Sequence, residues 1–491
     1  MDTSPTTEDT QSSMVQREAQ APNVPNLLRV SPMDTTTATD VETSILDPVV
    51  SNDSHCKFVF LNKGILHSHS KIALALTAPD AADRFFPLNI GVASLIERCA
   101  LKVGTKTLQE TDAYNFLTAY KSMFINNEHQ KEREQVQSGK CVCHEFRYDD
   151  QTSTAGGAAN NTTAFRYGIS NGREYNSSYG EVTPNLDQHQ WSNIKNSPVF
   201  QIALSDLFPM LKQTQLPLYM MEEQVSIELT FAPSGQRACG ALGVANVANY
   251  AVDTTETKLI ADYIYYPQEM MDAYARQNSV ITMNHFDYRN SAVSVSATSA
   301  SGSMLIRNLG GAGRIVTKVI TGIQSDSASD QSILNRFHSI SPEAHYQFGQ
   351  VPANTKFNGS LAVNIKYNDR FLYPIDVVNP ARQFHNTAQA EGMVPFVSRE
   401  EFCAEGVALT DDEFMLYDQN TGDDADETGI LGRFNWLSYR LNRNERINSR
   451  GIEYYYKYSG LGDGGGYTQR AWLELAKMTT LRNGYVTTEF L

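Results

Sequence analysis

Apolar and polar residues alternate with a period of two along much of this chain. Lys57-Phe58-Val59-Phe60-Leu61, Lys71-Ile72-Ala73-Leu74-Ala75-Leu76, residues 95–103 and residues 224–231 each place their apolar side chains on one face of an extended segment. Turn residues separate them, such as Asn62-Lys63-Gly64 and Gly104-Thr105-Lys106. Residues 199–204 resume the habit after a long polar stretch, and the β-branched, aromatic run 261–266 closes this first block. The second block repeats the pattern less cleanly, with strands predicted at 279–283, 292–297, 315–323, 361–367, 452–458 and 485–489.

Helical spacing interrupts the strands in a few places. Ala113, Phe116, Leu117, Tyr120 and Phe124 share one face of a predicted helix over 112–124. A short amphipathic helix follows Pro267 at the chain midpoint, between the two strand-rich blocks. Further helices are predicted over 380–390 and from about 468 to 477. Many short strands in two blocks favour β-sandwiches over a parallel α/β sheet. The predicted organisation is an N-terminal arm over 1–54, a first β-domain over 55–267, a connecting helix over 268–278 and a second β-domain over 279–491. The arm is polar, acidic and without core-forming periodicity, which predicts flexibility. Residues 126–195 are long, Gly- and Asn-rich, and read as an outward loop region within the first domain.

With 491 residues, two cores of ordinary size are expected, and 24 Tyr and 22 Phe supply aromatic strands. Only 19% of residues are charged, which suits a surface that packs against copies of itself. The net charge of −15 opposes direct wrapping of a genome, so no sequence-specific contact with nucleic acid is expected. Cys56, Cys99, Cys141, Cys143, Cys239 and Cys403 are scattered, and the first residues lack a basic start followed by an apolar run. Synthesis in the cytosol with reduced thiols is the expectation. No apolar run of 18 residues or more is present. Sequons at Asn52, Asn160, Asn161, Asn176 and Asn358 carry little meaning without secretion.

Asn89-Ile90-Gly91, Leu95-Ile96-Glu97, Leu101-Lys102-Val103-Gly104 and the helix opening at Asp112 follow one another in a recognisable order. Leu216-Pro217-Leu218 leads into the 223–231 strand, and Asp262-Tyr263-Ile264-Tyr265 runs into the midpoint helix. Over residues 56–278 this resembles the first roll and hinge of the double jelly-roll major capsid proteins of eukaryotic double-stranded DNA viruses. Tyr373-Pro374, Asn379-Pro380-Ala381 and residues 447–454 resemble the polinton-like virus and virophage branch. The resemblance implies an all-β chain of two consecutive eight-stranded antiparallel jelly rolls with short helices and long loops. It implies a homotrimeric, pseudo-hexameric capsomer, trimer–trimer contacts in an icosahedral shell, penton or minor capsid partners, and a virion location with an internal membrane as a further partner. The alternative is a two-domain β-sandwich that binds glycans through 126–195; a hydrolase on the same scaffold comes third.

Several local patterns suggest chemistry without completing it. Residues 460–465 match G-x-G-x-x-G, but the 26 residues after Gly465 leave no room for a dinucleotide-binding sheet. Cys141, Cys143 and His144 lack a fourth zinc ligand, and His67 and His69, read as facing one way on a strand, lack a third. The acids 411–413 and 423–427 lack the order of a calcium loop. Asp187, His189, Trp191 and Ser192 come without a nucleophile elbow. No catalytic, cofactor-binding or metal residue is therefore assigned, and the protein is not expected to be an enzyme.

Overall fold

The computed structural model describes residues 40–77, 84–85, 91–122, 124, 137–138, 146–149, 164–167, 199–213, 215–233, 239–240, 251–296, 304–325, 339, 360–378, 380–392, 436–441, 444–459 and 466–491. Its first half contains β1 Asp40–Leu46, β2 Val50–Ser51, β3 His55–Val59, β4 Ile65–Leu66, β5 Lys71–Thr77, β6 Arg84–Phe85, β7 Ile96–Val103 and β8 Lys106–Asp112. Helix α1 spans Tyr114–Ser122. Then come β9 Phe146–Asp149, β10 Ala164–Tyr167, β11 Val199–Ala203, β12 Val225–Phe231, β13 Cys239–Gly240, β14 Ala251–Val252 and β15 Lys258–Tyr265. Helix α2, Gln268–Gln277, connects to the second half. That half contains β16 Val280–Ser296, β17 Leu305–Gly310, β18 Val316–Ser325, β19 Ser360–Tyr367, β20 Arg370–Phe371, helix α3 Pro380–Ala390, β21 Leu437–Arg440, β22 Ile452–Ser459, β23 Gly466–Arg482 and β24 Tyr485–Phe490.

One ten-stranded sheet runs through both halves in the order β2-β3-β12-β7-β8-β16-β23-β18-β21, with β24 paired to β23. In the first half, the sheet β1-β15-β5-β11 forms the opposing layer. In the second half, that layer is β17-β22-β19-β20. The buried apolar residues form a single cluster that passes from one half into the other. Period-two alternation explains the first half directly: Phe58, Leu101, Ile227 and Leu229 from the large sheet meet Ile72, Leu74 and Leu259 from the smaller one, all fully buried. In the second half, Tyr454, Tyr456 and Tyr458 alternate along β22 onto one face. Their neighbouring ring centroids are 5.1 and 5.5 Å apart.

Three expectations change. The helix predicted near 468–477 is the middle of β23, a 17-residue strand paired with β16 over its whole length and with β18 on its other edge. Residues Ala471–Leu475 are buried on both faces, so the period-two signal disappears into an apolar run. The helix formers there yield to ladders on both sides. The strands predicted at 279–283 and 292–297 are one strand, β16. The arm predicted over 1–54 gives up its last part to structure. Strand β1 pairs antiparallel with β15 from Asp40↔Tyr265 to Leu46↔Leu259, and β2 pairs with β3. Composition missed this because β1 takes its order from an edge already built. Thr43 Oγ1 donates to Asp262 Oδ1 at 2.6 Å, and Glu42 and Asp47 pair with Lys63 and Lys258. Residues 1–39 lie outside the described residues. So does most of 126–195, where β9 and β10 form an antiparallel pair.

Candidate functional site at the seam between the two halves

The halves meet where β8 and β16 run parallel, and a single residue pair, Thr111↔Tyr288, bridges them. Side chains complete what the main-chain ladder leaves open. Gln109, fully buried, donates from Nε2 to Phe286 O at 2.6 Å and accepts the Met210 N–H on Oε1 at 3.2 Å. Asp287 Oδ1 accepts the Glu110 N–H at 3.0 Å. Lys477 Nζ reaches both Thr107 O at 3.0 Å and Asp287 Oδ2 at 3.1 Å. Trp472 Nε1 donates to Asp112 O at 3.2 Å, and Glu222 N to Gly484 O at 3.0 Å. Main-chain groups on the edge of β8, the Thr107 and Asp112 carbonyls and the Glu110 N–H, thus find partners in the other half.

Two ionic clusters flank this seam on opposite faces of the large sheet, because Glu474 stands opposite Tyr288 while Lys477 stands opposite His285. On the first face, Glu474 accepts from Thr317 Oγ1 at 2.6 Å and Tyr288 OH at 2.8 Å, and pairs with Lys318 at 3.0 Å. Lys318 also pairs with Glu391, which accepts a hydrogen bond from the Tyr120 hydroxyl on α1. Burial opposes the charge on Glu474, yet Lys318 and the hydroxyl donors outweigh it and hold the carboxyl below its ordinary range. Burial likewise opposes the charge on Lys318, and Glu474 and Glu391 reverse that. Lys121 lies over the Tyr288 ring at 4.9 Å, and burial pushes it down to about 8. The Arg470 guanidinium sits 4.2 Å from the Phe116 ring. Helix α1 of the first half is therefore gripped by β16, β18 and β23 of the second.

No known family's sequence profile matches the chain, and no curated protein is similar to it in sequence. Solved structures are similar in fold. A quasi-atomic structure of the PBCV-1 virus capsid superposes with a TM-score of 0.51 at 9% identity, covering 92% of this chain and 97% of that one. The mavirus major capsid protein gives a TM-score of 0.49 at 11% identity, covering 91% and 90%. The chain is a double jelly roll. Within the double jelly roll, the seam joins the two sandwiches through one continuous sheet.

The remaining sequence candidates fall away from this seam. His67 and His69 lie in the turn between β4 and β5, not on a strand. The His69 N–H donates to His67 Nδ1 at 2.9 Å, and the rings meet edge to face at 4.2 Å. Among the described residues, no three His, Cys, Asp or Glu side chains gather in a metal-binding group. Cys56 and Cys99 are free and buried, and burial pushes their thiols up to about 11 and about 12. Cys141, Cys143, His144, Asp187, His189, Trp191, Ser192 and the acids 411–413 and 423–427 lie outside the described residues. Residues 460–465 lie outside them too; the segment after them is strand β23, where the dinucleotide motif requires a helix. Sequence reasoning missed Asp287, Lys318, Glu474 and Lys477. Their signal was charge embedded in strongly apolar strands, as in Trp472-Leu473-Glu474-Leu475-Ala476-Lys477.

Proposed function

We propose that this double jelly roll is a major capsid protein that self-assembles into pseudo-hexameric homotrimers tiling the icosahedral shell of a DNA virus. The observation that carries the reading is the shared architecture. Two sandwiches fused by one sheet follow the PBCV-1 capsid structure over nearly the whole of both chains. A three-fold ring of such two-roll subunits presents six similar units to a hexagonal lattice with one gene product. Each subunit contact would bury roughly 2,000–5,000 Å², as obligate interfaces do. Partners in this reading are other copies of the chain, penton or minor capsid proteins, and an internal membrane, with no sequence-specific nucleic-acid contact and no enzymatic role. The site is the virion, after synthesis in the host cytosol.

The purified chain is expected to elute as a trimer of three times 54.7 kDa and to give shells or lattices by electron microscopy. Trimers should survive nuclease, chelator and moderately high salt. A monomer that is retained on immobilised sugar would point instead to a glycan-binding module.

A further inference from the structure

On the second face of the seam, His285 is buried and stands directly across the ladder from Lys477, which in turn stands across from Phe490 of β24. Its Nε2 lies 2.9 Å from Thr479 Oγ1, a partner that a neutral imidazole satisfies. Lys477 is the side chain that reaches over the seam to Thr107 O. The charged groups around this row are predominantly cationic. On β16 they are Asp287 and Arg289, on β23 Lys477, and Arg314 lies against Phe490 at 4.3 Å. From β8, Glu110 offers its main-chain N–H to Asp287 while its carboxylate pairs with Arg98. Lys106 donates to Val486 O at 2.5 Å. Among the described residues, Asp287 is thus the one carboxylate bonded to the row, and Lys477 and the Glu110 N–H already occupy it.

We propose that His285 is an acid-sensitive latch of the seam: a second proton on the imidazole sets two buried cations side by side and loosens the hold of Lys477 on Thr107. The electrostatics agree. Burial first, and then the charge on Lys477, hold His285 at about 4, below its usual 6.5. The neutral ring is full-strength structure above pH 6.5. Between about 6.5 and 4 the opened seam binds the proton and the closed one does not, so stability drains away as pH falls through that window. The inference concerns the subunit itself and stands whether or not the protein builds shells.

Hydrogen exchange of the full-length protein, corrected for intrinsic rates, reads the latch. Segments 107–112 and 285–288 should open roughly thirtyfold more readily at pH 5.0 than at pH 7.5. Segment 71–76, in the other layer of the first half, should not follow. In His285→Gln, which keeps a hydrogen-bonding side chain but cannot take the charge, the acceleration should fall below about threefold. Equal acceleration in wild type and variant, no acceleration in wild type, or equal loss at 71–76 would overturn the proposal. If the variant does not fold, deuterium exchange at the His285 ring carbon reports its titration in the wild type. A midpoint below 5 supports the latch, and a midpoint near 6.5 with the seam still protected refutes it.

Discussion

The two halves of the molecule solve the same packing problem with different materials. Among the described residues, the first half has a core of aliphatic side chains and phenylalanines without buried charges, in which Ile72, Leu74, Leu101, Ile227 and Leu259 meet across two sheets beside Phe58 and Phe200. The second half has Trp436 and Trp472 edge to face at 5.1 Å, the tyrosine row of β22, and buried charges. Arg307, for example, is buried and bonds Gln469 O and Ser291 Oγ, each at 2.9 Å. The difference follows from what each half must touch. The second-half sheet receives α1 and α3 on its Glu474 face and the β17-β22-β19-β20 layer on the other, and hydroxyls and ion pairs fix the first contact in one orientation. An aliphatic surface fills volume well and specifies direction poorly.

Mutations can sharpen this contrast. The largest loss is expected from Lys318→Met, which strands Glu474 and Glu391 without their cation. Breaking a buried pair on one side costs about 3–5 kcal/mol, whereas Lys318→Met with Glu474→Leu should recover most of that loss. Denaturant titration of the three proteins measures both. Gly322→Ala comes next, at about 3 kcal/mol, because a Cβ there would meet the Trp436 ring at 2.2 Å. Leu101→Ala in the first half should cost a similar ~3 kcal/mol through an unfilled cavity, and no second substitution of charge type should rescue it. Gln109→Ala removes one bond across the seam and one that holds Met210 within the first half, and should cost about 1–3 kcal/mol, with exchange at the Met210 amide accelerated first.

The smallest effect has the opposite sign. Ala113 joins β8 to α1 with φ at +51°, a region where a side chain is strained, so Ala113→Gly should raise stability by up to about 1 kcal/mol. A thermal melt that falls instead would show that packing of the buried Ala113 methyl outweighs the backbone strain.

This contrast also explains what the sequence made legible. In the first half, β3, β5, β7, β11, β12 and β15 lie within a few residues of their predicted positions. In most of them one face carries the bulky apolar residues and the other smaller or polar ones, so periodicity survives in the text. Helix α3 falls at its predicted bounds because its pattern is equally one-sided. Strand β23 did not, since burial on both faces erases the period. The seam was invisible for a further reason. Gln109, Asp287 and Lys477 are ordinary residues in sequence, and only the pairing of strands 177 and more residues apart gives them partners.

The lone bridge between β8 and β16 also imposes a rule of parity on the gene. Thr107 O, the Gln109 side chain and the Glu110 N–H must meet the second half in that order. Removing one residue from β8 would exchange its two faces, burying the Glu110 carboxylate and turning Gln109 away. Lengthening a connecting loop by many residues costs only a slowly growing closure entropy. Length changes compatible with folding should therefore be common in the long connections and confined to even steps, or absent, across residues 109–112, past the irregularity at Leu108.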